Sequence, residues 1–151
     1  MSLGALTRPD LVFPDLPATD SQGVLRALAG QVAAQRLVRN GEELFQRLWE
    51  REQLGSTGIG QGVAIPHCKL NGLPRGVVAV GLVPEGVAFG AADGQPVRVF
   101  FLVVSPAEVP AEHLQILAAI SRWIRADQHA ARLLTLRDPA AVYDLLQDEG
   151  G

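Results

Sequence analysis

Cysteine is nearly absent: Cys68 is the only one among 151 residues, so no intrachain disulfide can form. A reducing, cytoplasmic location is therefore expected. No apolar run approaches the roughly 20 residues needed to cross a bilayer, and direct membrane insertion is excluded as a role. The opening MSLGALTRPD has neither a basic region nor an apolar stretch, so no secretory signal is expected. Lys and Arg form no cluster, and the net charge is -3. That balance argues against nucleic acid as a partner. Low-complexity linkers and internal repeats are missing as well.

What is present is a chain 48% hydrophobic and 19% charged. This composition belongs to a globular protein, and the length suits one domain. A single domain over 9–149 is expected, preceded by a flexible start over 1–8. DLVFPDL (Asp10–Leu16) reads as an edge strand or extended lead-in because of Pro14. Thr19 or Asp20 caps a helix running to about Arg36, and Asn40 caps another from about Glu42 to Leu54. Two valine-rich runs, GVVAVGLV (Gly76–Val83) and VRVFFLVV (Val97–Val104), read as strands covered on both faces. Asp93-Gly94 marks the turn before the second. Further helices are expected from Pro110 to about Arg125, over Gln128 to Leu136, and after Asp138-Pro139. Helices on both sides of doubly buried strands predict an α/β fold, a three-layer α/β/α sandwich.

Between the second helix and the first valine-rich run stands STGIGQGVAIPHCKL, Ser56 to Leu70. Gly58, Gly60 and Gly62 open conformations closed to other residues. They suit a tight connection into a strand at Val63 to Ile65, or a nest of amides for an anion. It is not a P-loop, since no G-K-[ST] follows. Pro66 restricts the backbone just before His67, and a neutral imidazole is nucleophilic near pH 7. A glycine nest beside a rigidly presented imidazole would suit transient holding of a phosphoryl group.

This stretch resembles the active-site segment of Enzyme IIA domains of the fructose/mannitol family, close to S-T-G-[IV]-G-x-G-[IV]-A-[IV]-P-H-G. The family belongs to the phosphoenolpyruvate-dependent sugar phosphotransferase system and includes the nitrogen-regulatory Enzyme IIA proteins. The Arg51-Glu52 pair, the D-G-x-P-V of Asp93 to Val97 and the E-H-L of Glu112 to Leu114 agree with it. The resemblance implies a single Enzyme IIA type 2 domain with a mixed, mostly parallel sheet. It also implies that His67 accepts a phosphoryl group from the phosphorylated carrier HPr and passes it to an Enzyme IIB. The alternative is a nitrogen-regulatory protein whose phosphorylation governs binding to a target without sugar transport.

Phosphoryl transfer needs alignment and charge stabilisation more than covalent help. His113 falls on the apolar face of its helix, in the first turn, which by itself suits a buried structural histidine. Arg51 lies at the edge of the second helix's apolar stripe, where a snorkelling surface arginine is common. The resemblance implies catalytic roles for both beside His67, His113 orienting the phosphate and Arg51 neutralising it. Thr57 and the three glycines are the expected phosphate-binding residues. Lys69 suits partner docking or plain solvation, Asp93 is a turn residue, and His129 reads as a surface residue. Cys68 stands where the family most often has glycine, and can crowd a partner, tune the imidazole or point inward. A metal site from His67, Cys68 and His113 lacks a fourth ligand and the usual spacing. No metal or cofactor is expected, and the sequence carries no signal for oligomeric state.

Overall fold

The computed structural model of the chain describes residues 3–148. The sheet is built around one long antiparallel pair, β5 (Val77–Val87) and β6 (Val97–Pro106). Alternation along these strands sends side chains to both faces. Val78, Val80, Leu82, Val99, Phe101 and Val103 enter one core, while Ala79, Val83, Phe100, Leu102 and Val104 enter another. Residues 77–83 and 99–104 are therefore continuously apolar, because neither face meets water there.

The flanking strands are short. β1 (Val12–Phe13) runs parallel to β5 at one edge, as the Pro14-interrupted segment suggests. On the far side of β6 lie β3 (Val63–Ala64) and then β4 (His67–Leu70), both parallel to it and separated by Pro66. β2 (Gly58–Gly60) pairs antiparallel with β3. The order is β1-β5-β6-β3-β2 with β4 also beside β6, a mixed sheet in which three of five pairings are parallel.

α1 (Ser21–Ala34) and α2 (Gly41–Gln53) cover one face. α3 (Pro110–Arg125), α4 (His129–Leu133) and α5 (Pro139–Leu146) cover the other. The expected sandwich is what forms. Its caps are those read from sequence: Asp20 accepts from Gly23 N at 2.7 Å, Asn40 from Glu43 N at 3.1 Å and Asp138 from Ala140 N at 3.2 Å. Among the described residues, no helix is long and apolar enough to cross a membrane.

Two stretches depart from their sequence reading, and the tight connection expected at the glycines takes a more specific form. The glycine run is a β-hairpin, whose central Gln61 and Gly62 have φ of 58° and 79°. Two positive φ values match the twist of a two-residue hairpin. At the start, residues 3–6 of the expected flexible segment form a 3-10 turn with Leu3 buried in the second core, while residues 1 and 2 lie outside the described residues. The reading of His129 as a surface residue is corrected: it is 0% exposed. Its ring stacks on Trp123 at 4.1 Å, with Nδ1 2.7 Å from the Trp123 carbonyl and Nε2 3.1 Å from Asp148 Oδ2. The expected helix over 128–136 shrinks to five residues, which this histidine anchors.

Candidate active site

The register of β4 on β6 decides what the His67 strand presents. His67 pairs with Val103 and Lys69 with Ser105, while Cys68 pairs with Val104 and Leu70 with Pro106. Val103 belongs to the core under α3, and Val104 to the core under α1 and α2. Alternation therefore turns His67, Lys69 and Ser105 toward α3 and turns Cys68 toward α2. Cys68 packs inward, and burial pushes its thiol up to about 12, so it stays protonated and inert. The same alternation separates Cys68 from His67 as a possible metal ligand.

Next to β4 the sheet ends, because β2 covers β3 and not β4. A groove of about 650 Å³ opens there between α2 and α3. From α2 and its end come Arg47, Glu50, Arg51 and Leu54, and from α3 come His113, Leu114 and Leu117. The strand supplies His67, Cys68 and Lys69. The structure thus brings together the three expected catalytic residues, His67, His113 and Arg51.

The half-buried His67 ring is held by its own strand. Its Nδ1 lies 2.7 Å from the Ile65 carbonyl, so in the neutral ring Nδ1–H donates there and Nε2 carries the free lone pair. Burial holds its pKa below the ordinary value despite that bond, and the charges of Arg51 and Lys69 push the same way. The imidazole is thus neutral and nucleophilic near neutral pH.

The His113 ring lies 5.2 Å from that of His67, tilted by 54°. It is 5% exposed, and its Nδ1 is hydrogen-bonded to the Ser105 hydroxyl. Burial, aided by the charges of His67 and Lys69, lowers its pKa to about 4. Arg51 stands at the C-terminal end of α2, where its Nη1 donates to the Gly55 carbonyl at 2.9 Å and leaves further N–H groups for a ligand.

The four expected phosphate-binding residues are not among those lining this groove. Thr57 gives its amide, at 3.0 Å, and its hydroxyl to the Glu52 carboxylate. Burial raises the pKa of Glu52 even so. Gly58 N donates to Ser56 Oγ at 3.0 Å, and the amide between Gly60 and Gly62, that of Gln61, donates to Asp93 Oδ2 at 3.0 Å. These donors are spent on building the hairpin. Asp93, also bonded to Gln95 N at 3.1 Å, is the expected turn residue and ties two turns together. Those bonds lower its pKa.

Ser105 escaped the sequence reading, and Glu52 entered it only as half of the Arg51-Glu52 pair, without a role. Glu52 pins the hairpin to α2, and Ser105 supports His113. Ser105 did leave a signal, as a lone hydroxyl following the apolar run over residues 99–104, where a buried polar group needs a partner. Among the described residues, the group able to offer three metal ligands together is Asp127, His129 and Asp148, none of which lines this groove.

Known proteins share this arrangement's sequence and fold. Residues 5–149 match the family model described as phosphoenolpyruvate-dependent sugar phosphotransferase system, EIIA 2. A nitrogen regulatory protein of Bradyrhizobium diazoefficiens is 36% identical over 97% of this chain and 95% of its own length. A fructose-specific EIIA component of Haloferax volcanii is 29% identical over the same shares. The crystal structure of nitrogen regulatory protein IIA-Ntr from Neisseria meningitidis superposes with a TM-score of 0.86, at 27% identity over 95% of this chain and 97% of that one. The family model spans nearly every residue of the sandwich, the groove and its two histidines included: the chain belongs to the EIIA type 2 family of the sugar phosphotransferase system.

Proposed function

We propose that the protein is a phosphocarrier that takes a phosphoryl group on Nε2 of His67 from the phosphohistidine of an HPr-type carrier. The observation that carries this reading is the Nδ1 bond to Ile65, which leaves Nε2 as the nucleophile beside His113 and Arg51. In the transfer, the donor's N–P bond breaks while a bond forms between phosphorus and Nε2 of His67. The donor imidazole leaves with the electron pair and regains a proton from solvent. Little covalent assistance is needed, since charge in the loose transition state spreads over the phosphoryl oxygens. Arg51 meets that charge with a planar fork of donors, and His113 adds a neutral N–H.

The onward step is a regulatory one in this reading. Relatives 36% and 32% identical over 97% of the chain are nitrogen regulatory proteins. Phosphorylation would add about 1.5 to 2 negative charges to a groove rimmed by Arg47, Arg51 and Lys69. That change suffices to reset affinity for a protein target. Delivery to a sugar-specific Enzyme IIB is the second reading, supported by the fructose-specific relative and by a neighbouring fold solved as a complex of mannitol IIA with phosphorylated IIB.

Incubation with phosphoenolpyruvate, Enzyme I and HPr tests the shared step. The expected result is an acid-labile phosphate on the wild type that disappears in His67→Ala and persists in Cys68→Gly. A wild type that takes no label, or a His67→Ala protein that does, refutes it. Adding a purified Enzyme IIB with its sugar permease then separates the two onward routes by whether label leaves His67.

A further inference from the structure

We propose that Ser105 is a positioning residue for this site, its buried hydroxyl donating to His113 Nδ1 and so fixing the tautomer that presents Nε2–H to the phosphoryl group on His67. The proposal rests on the reading of His67 as phosphoryl acceptor, but its structural half stands alone.

The argument begins with the strand register. Ser105 sits beside Lys69 on the α3 side of the sheet, one alternation step beyond Val103, the neighbour of His67. It is 0% exposed, directly beneath the first turn of α3, from which His113 projects. Among the described residues, the Ser105 hydroxyl makes no hydrogen bond other than that to His113 Nδ1. A hydroxyl carries one hydrogen and two lone pairs. If Nδ1–H donated to it, the serine's own hydrogen would be buried without an acceptor, at the full desolvation cost of such a group. If Ser105 donates instead, that hydrogen is satisfied and only lone pairs stay free. The second arrangement is favoured, and it places the ring hydrogen of His113 on Nε2.

The surroundings keep the ring in the neutral form, where the choice of tautomer matters. His113 lies in the first turn of α3, whose N-cap residue, Val109, offers no side-chain acceptor. The partial positive charge of the helix N-terminus there disfavours adding a proton to the ring. His67 and Lys69 lie on the same side. A neutral imidazole with Nδ1 occupied can do one thing for a phosphate, which is to donate from Nε2. With the opposite tautomer it would turn a lone pair toward the phosphoryl oxygens and repel them.

Long-range ¹H–¹⁵N correlation on the labelled wild-type protein reads the tautomer without any transfer reaction. The expected spectrum has His113 Nδ1 unprotonated and Nε2 protonated. In Ser105→Ala the two nitrogens move toward an averaged or reversed pattern. Its turnover with saturating phosphorylated HPr falls about tenfold, less than the 10² or more typical of deleting a transition-state donor outright, while KM for the donor stays put. Ser105→Thr keeps the hydroxyl and restores both spectrum and rate. A wild-type His113 protonated on Nδ1 overturns the proposal, as does Ser105→Ala with an unchanged spectrum or an unchanged rate. A wild type that accepts no phosphate would instead refute the function and leave the tautomer assignment intact.

Discussion

At the scale of single residues, the groove keeps two imidazoles neutral. Both His67 and His113 have pKa values lowered chiefly by burial, that of His113 to about 4. Unfolding returns His113 to about 6.5. Between pH 6.5 and 4 the unfolded chain therefore binds protons that the native chain refuses, and stability rises with pH through that window. The contribution of His113 is complete above about pH 6.5 and is lost as pH falls toward 4. His67 acts in the same direction, and Glu52, whose pKa is raised by burial, acts in the opposite one above its ordinary value, so a wild-type curve alone mixes all three. Comparing urea midpoints of wild type and His113→Gln across pH 4 to 7 isolates the effect. The substituted protein is expected to lose the part of the slope due to His113, and parallel curves would show that its proton affinity does not change on folding. His67, His113 and Arg51 were legible because a motif names them. Ser105 was not, because its partner lies on another element and only the register on β4 aims it.

At the scale of elements, the hairpin of β2 and β3 shows where local patterning stops being informative. The helices announced themselves by apolar periodicity and the two long strands by continuous valine-rich runs, signals which their own residues carry. A hairpin with strands of three and two residues has too little alternation to read, and its glycines look equally apt for an anion. α4 failed for a related reason, since five residues cannot display a face and the anchors of His129 lie in α3 and beyond α5. The hairpin has specific steric demands. A Cβ on Gly58 would stand 2.9 Å from that of Ala91, which no relaxed contact allows. At Gly62 the nearest atom would be 3.8 Å away, so only its φ of +79° penalises a side chain there. Its carbonyl meanwhile accepts from Arg98 N at 2.8 Å and Val99 N at 3.0 Å, fixing it to β6. Gly62→Ala is expected to cost about 1 kcal/mol of stability, the usual penalty for a left-handed non-glycine residue. Labelling of His67 well below the melting temperature should be unchanged. A selective loss of phosphorylation rate in a stably folded Gly62→Ala protein would mean that the glycines do cradle the phosphate.

At the scale of the whole molecule, charge and apolar surface are distributed unevenly in a way that composition hides. The chain is acidic overall, yet its groove has Arg47, Arg51 and Lys69 against Glu50. Two of the most exposed large apolar side chains stand on its two walls, Leu54 at 84% and Leu114 at 68%. Apolar groups left in water beside a nucleophile gain free energy when another protein covers them, and that burial excludes water from the transfer. In the proposed function Leu54 and Leu114 serve docking rather than folding. Replacing either by Gln removes the contact while leaving both cores intact. Each substitution is expected to raise KM for phosphorylated HPr about tenfold, the loss of roughly 1.4 kcal/mol typical of an interface contact. Turnover at saturating donor and the thermal midpoint should hold steady, since an exposed leucine supports neither chemistry nor packing. Kinetics with varied donor, alongside a thermal melt, separate the possibilities. A fall in turnover at unchanged KM would place these leucines in the transfer step, and a lowered midpoint would return them to the fold.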